Sequence, residues 1–170
     1  MGKKTTRYAR KHRLQGSPYT YTTAHVLAAS PTDPMPLAAR THHLSVMWQG
    51  LAALETAPEP SNEDWRVCSD ALNVMETMVR EGLCQDERGL ITDGIEALAM
   101  AFKRKVTTGG AIRLSGQGIQ TVRAVLEDYA AVLEQIPHQQ AVLMHMKTER
   151  RIRGYLTGKR RPPDVELIAA

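Results

Sequence analysis

Ser115-Gly-Gln-Gly-Ile-Gln-Thr-Val-Arg-Ala-Val-Leu-Glu-Asp-Tyr-Ala-Ala-Val-Leu-Glu-Gln-Ile136 is the stretch that decides the fold class. Ile119, Val122, Val125, Leu126, Tyr129, Val132, Leu133 and Ile136 recur at helical spacing and cover more than one helical face. Gln120, Arg123, Glu127 and Glu134 leave a narrow polar stripe as the solvated edge. Such a helix needs neighbours on several sides, so the expectation is an all-α bundle with this helix as its most buried member. Ser115 is placed to accept a backbone N–H bond at the helix start, and Pro137 cannot extend the hydrogen-bond ladder.

Upstream, Leu37, Leu44, Met47, Trp48, Leu51 and Leu54 line one side of a first helix, which Ala57-Pro58-Glu59-Pro60 ends. Ser61-Asn62-Glu63-Asp64 resembles a capping box with Asp in place of Glu; the helix it opens carries Trp65, Cys68, Leu72, Met75 and Val79, and Gly82 is placed for a left-handed end. Asp86 caps a third helix with the stripe Ile91, Ile95, Leu98 and Phe102, closed by Lys103-Arg104-Lys105, whose charge favours a helix C-terminus. Downstream of Pro137, a fifth helix from His138 to about Thr157 has the thinner stripe Val142, Met146, Ile152 and Leu156. No alternating strand pattern and no solenoid repeat competes.

The chain therefore divides into a basic, irregular N-terminal arm and lead-in over 1–35, an antiparallel bundle of about five helices over 36–158, and a C-terminal tail over 159–170. The arm is expected to be disordered. Ala24 to Ala29 can form a short helical turn within a lead-in that lies across the body. At 170 residues one core suffices, and with aromatics at 5% it must be filled mainly by aliphatic side chains and Met. No run of about 18 apolar residues exists to span a bilayer. Two cysteines without a C-x-x-C pair point to a reducing, cytoplasmic setting.

Charge is partitioned sharply. Residues 1–16 hold six basic residues and no acid, 17–146 hold nine basic and fifteen acidic, and 147–161 hold seven basic and one acidic. Lys3, Lys4, Arg7, Arg10, Lys11 and Arg13 interleave with Tyr8, while Arg150, Arg151, Arg153, Lys159, Arg160 and Arg161 flank Tyr155. These twelve cations supply phosphate-pairing charge beside rings on which bases can stack. Without C2H2 spacing, an RNP motif or a helix-turn-helix register, such binding would be directed at the backbone of the nucleic acid.

Other chemistry is sparse. Thr108-Gly109-Gly110 and Ser115-Gly116-Gln117-Gly118 resemble phosphate-binding loops but lack the Lys-Ser/Thr ending and follow a helix, so they read as connector and cap. His42, His43, His138 and His145 are the possible metal ligands, but no Glu-x-x-His is present, and they read as solvated or core-edge histidines. Cys68, on an apolar stripe, should behave as a small hydrophobe, and Cys84 should be exposed without activation. Met-Gly-x-x-x-Thr at the start has the form of an N-myristoylation signal; the plainer reading is a basic start.

The resulting expectation is a non-enzymatic binding or regulatory protein, without metal or cofactor, that engages nucleic acid or a nucleoprotein assembly through its basic termini. The competing partner for those termini is an acidic protein surface. The rival reading is a protein–protein adaptor or inhibitor whose acidic helical body docks a partner. A homodimer is expected if the apolar arc of 115–136 exceeds what one chain can cover.

Overall fold

Ser61 opens the helix around which the others are arranged. Its hydroxyl accepts the Asp64 N–H at 3.1 Å and its own N–H donates to Asp64 Oδ2 at 2.8 Å, completing the capping box. The computed structural model describes residues 21–156, which are 76% helical and contain no strand. Six helices follow in order: α1 (Thr23–Ala28), α2 (Leu37–Thr56), α3 (Asn62–Arg80), α4 (Leu90–Thr108), α5 (Gly116–Gln135) and α6 (His138–Leu156). The five long helices form a bundle, and the short α1 is the turn expected within the lead-in.

The centre is α3, not the helix over 115–136. α3 packs against α2, α4, α5 and α6, and eleven of its residues are buried against seven on α5. The solvated edge of α5 is broad, taking in Gln117, Gln120, Glu127, Asp128, Ala131, Glu134 and Gln135. On α3 the buried positions include Ser69, Asn73 and Thr77, polar residues that an apolar count passes over. Thr77 shares a 2.6 Å hydrogen bond with Thr148 of α6, and the Asn73 carbonyl accepts from Arg151 at 3.0 Å. Partnered in this way, the Thr77 hydroxyl lies between helices without the full cost of desolvation, whereas Arg151 bonds the backbone of Asn73 and not its side chain. Val122, Val125, Leu126, Tyr129 and Leu133 of α5 are fully covered within one chain, while Ile119 and Val132 of the same arc are half-buried.

Connections follow local chemistry. Gly82, at φ 75°, ends α3 in a Schellman arrangement, with the Gly82 N–H on the Val79 carbonyl and the Leu83 N–H on the Met78 carbonyl. The Asp86 carboxylate accepts the Ile91 N–H at 3.2 Å, and Ser115 Oγ accepts the Gly118 N–H at 3.0 Å. Leu37, counted into the first apolar stripe, is 69% exposed at the start of α2.

Gly50 sets the approach of α2 to α3. A Cβ there would stand 2.3 Å from Val67 Cγ2 and 2.8 Å from the Asp64 carbonyl oxygen. Gly50→Ala should therefore cost about 1–3 kcal/mol by overpacking. Gly116, with nothing within 4 Å, should tolerate alanine with a gain of about 0.4–1 kcal/mol. Denaturant midpoints check both, and a neutral Gly50→Ala would mean that the helices do not meet there.

Candidate functional site

α6 links the lead-in to the bundle. As the first residues of a helix, His138 and Gln139 have N–H groups without intrahelical partners. They donate instead to the Asp33 and Ser30 carbonyls at 2.8 and 2.9 Å, and the Gln139 side chain donates to the Val26 carbonyl at 3.0 Å. At the start of this segment the Tyr21 ring packs on the His145 ring, centroids 5.2 Å apart.

Of the twelve cations singled out in the sequence, Lys3, Lys4, Arg7, Arg10, Lys11, Arg13, Lys159, Arg160 and Arg161 lie outside the described residues. Arg150 is exposed. Arg153 is exposed as well, with Nη2 donating to Glu149 Oε1 at 2.5 Å one turn back. Arg151 stands apart from them. Only 7% exposed, it donates from Nη1 to Glu76 Oε2 at 2.5 Å and from Nη2 to the Asn73 carbonyl, so its charge is committed between helices and not presented to a ligand. The reason is a shift in helical register. The inward face of α6 runs through Ala141, Met144, Thr148, Arg151 and Tyr155, and of the expected stripe Val142 is buried while Met146 and Ile152 are half-buried.

The structure also builds a buried polar cluster across α2, α5 and α6. The Tyr129 hydroxyl lies 2.7 Å from His43 Nε2 and 2.8 Å from His145 Nε2. A phenol has one proton, so the simplest neutral arrangement has Tyr129 donate to one imidazole and accept the Nε2–H of the other, which fixes opposite tautomers. Burial, with His42 nearby, pushes His43 down to about 4; burial, with His43 beside it, pushes His145 down to about 3. Both rings are therefore neutral at pH 7, and the cluster acts as a hydrogen-bonded lock between three helices. His42 is exposed and His138 sits half-buried at the start of α6, so the four candidate histidines do not converge. Sequence reading counted Tyr129 only as apolar bulk; the missed signal is that a tyrosine on a buried helix face needs a partner for its hydroxyl.

Among the described residues the remaining titratable groups are set as follows. Cys68 is fully buried, and burial, with Asp64 and Asp70 adding, pushes its thiol up to about 12. Cys84 is half-buried where exposure was expected, and burial first, then Asp86 and Asp128, raise its thiol too, away from reactivity. Burial pushes Asp70 up to about 7 against the pull of Arg66, with Glu63 and Glu149 adding to the rise. A shallow concavity of about 310 Å³ is lined by Gln85, Asp86, Glu87, Arg88, Leu90 and Asp128, none of them part of the histidine cluster. Among the described residues no group of three His, Cys, Asp or Glu side chains could hold a metal ion, and no helix is long and apolar enough to cross a membrane. In comparisons with protein-family profiles, curated proteins and solved structures, nothing matches this chain.

Proposed function

We propose that the protein acts by binding, engaging the phosphate backbone of nucleic acid through its two basic segments. The observation that carries this reading is that the described residues begin and end on one helix. Tyr21, the first of them, packs on His145, and Leu156, the last, ends α6. From His145 to Leu156 is about 16 Å of helix axis, the length of roughly five base pairs. Cations from both ends can then address one stretch of polyanion. Arg150 and Arg153 lie on the helix between, and an exposed pair such as Arg153–Glu149 costs little to exchange for a phosphate.

Binding of labelled single- and double-stranded DNA to the full chain tests this at low salt. Deleting residues 1–16 should leave the helical signal intact and weaken binding at least tenfold, and Arg150→Glu with Arg153→Glu should weaken it further without altering the fold. Arg151→Glu should instead destabilise the fold, since breaking a buried pair typically costs about 3–5 kcal/mol. Affinity that survives both the deletion and the double charge reversal would refute the proposal. Sequence preference is expected to be weak, because phosphate contacts position a protein without reading bases.

A further inference from the structure

The acidic balance of residues 17–146 hides a basic element. From Ala97 to Leu126 the chain carries five cations and no acid: Lys103, Arg104, Lys105, Arg113 and Arg123. Arg123 pairs with Glu55 at 2.7 Å. In all, seven cations of the described residues stand against carboxylates, on α2, α3, α5 and α6. Lys103, Arg104, Lys105 and Arg113 have no such partner among the described residues, and all but the half-buried Lys105 are exposed.

Neutral acceptors hold three of the four in place. Arg104 Nη2 donates to the Arg113 carbonyl at 2.7 Å, Arg113 Nη2 to the Pro58 carbonyl at 2.8 Å, and Lys105 Nζ to Asn62 Oδ1 at 2.5 Å. These bonds orient the cations without cancelling their charge. A role limited to the negative end of the α4 dipole would account for Lys103, Arg104 and Lys105, but not for Arg113, which lies beyond the helix. Among the described residues the carboxylates next to Asn62 in the chain are largely engaged, Glu55 with Arg123, Glu63 with Arg66 and Asp64 in the capping box, which leaves Glu59.

The position also fits. Lys147 faces Glu81, Thr148 faces Thr77, and Arg151 reaches Glu76 and Asn73, so α6 runs antiparallel to α3 toward its N-terminus. That is the end where Lys105 meets Asn62, about 16 Å beyond Asn73. We infer that Lys103, Arg104, Lys105 and Arg113 form a third phosphate-contacting element, so that nucleic acid held by the two basic segments also crosses this end of the bundle. The inference rests on the function proposed above.

Fluorescence anisotropy of a labelled DNA duplex with the full chain, titrated in salt, separates the two claims. K103Q/R104Q/K105Q/R113Q should reduce the slope of log K against log salt by about 3–4 units, and K103Q/K105Q alone by about 1.5–2. R88Q, which removes an exposed cation from the loop at the opposite end of the bundle, should leave the slope unchanged. Wild-type binding with an unchanged slope in the variants overturns this element and leaves the basic segments standing. A slope reduced as much by R88Q would assign the effect to net charge and overturn it as well. No wild-type binding at ~50 mM salt, where the counterion term is strong, overturns both claims. If circular dichroism shows the quadruple variant unfolded, the double variant decides, since neither lysine is tied into the Arg104–Arg113 chain.

Discussion

Acidification from pH 6.5 to pH 4 is expected to remove on the order of 3 kcal/mol of stability, with the loss originating in the His43–Tyr129–His145 lock. Both histidines have folded-state values below the unfolded one, at about 4 and about 3. The neutral lock therefore contributes in full above pH 6.5, and the contribution is withdrawn as pH falls through those values. Asp70, raised to about 7, acts in the opposite sense: its contribution is complete below the unfolded carboxylate value and is lost as pH rises through 7. Across this window two histidines oppose one carboxyl, which leaves a net slope of about 1.4 kcal/mol per pH unit. Urea midpoints at pH 7, 5.5 and 4 should fall in the wild type. They should fall less in His43→Gln/His145→Gln, which starts from a lower midpoint. Asp70→Asn should raise the midpoint at pH 8 and change it little near pH 4. A wild-type midpoint that stays level or rises toward pH 4 would show that the cluster is not held neutral.

Trp65→Ala is expected to cost about 3–5 kcal/mol, the range for deleting a buried aromatic ring. Trp65 is 2% exposed on the inner face of α3, its indole N–H donates to the Leu98 carbonyl at 2.9 Å, and its ring lies 4.6 Å from that of Phe102. The substitution removes packing at the contact of α3 with α4 on the most enclosed helix of the bundle. Ile119→Ala, at a half-buried position on α5, should cost markedly less. Equilibrium unfolding of the two variants separates the buried site on α3 from the half-buried one on α5. A larger loss at Ile119 would contradict the burial of Trp65 between α3 and α4.

The helices themselves were legible because their signals are local. The Ser61–Asp64 box, the Ser115 cap, Gly82 and Pro137 each act within a turn or two, and the structure uses them in the expected way. The ranking of helices by burial was not legible, because the buried face of α3 extends beyond its apolar stripe to Ser69, Asn73 and Thr77. A polar side chain between helices looks like a solvent-facing one until its partner is known, and the Thr148 that meets Thr77 is far away in sequence. The register of α6 failed for the same reason: its inward face includes an arginine whose partner is Glu76 on another helix.

The histidine cluster was half visible, as residues without an arrangement. His43 and His145 were noted, but a tyrosine at the centre of an apolar helix supplies the oxygen that joins them. The cations at 103–113 were obscured by averaging, since a block charge over 17–146 mixes paired arginines with unpaired ones. Pairing depends on tertiary neighbours, and only the fold separates Arg123, held by Glu55, from Arg113, held by a carbonyl.

The salt dependence of duplex DNA binding by the full chain is the most direct test of the claim that this bundle is a carrier for phosphate-directed basic elements. The account predicts a steep linear decline of log K with log salt, of about five units or more, since each phosphate neutralised contributes about 0.9. A slope near zero, or no binding at ~50 mM salt, would contradict it.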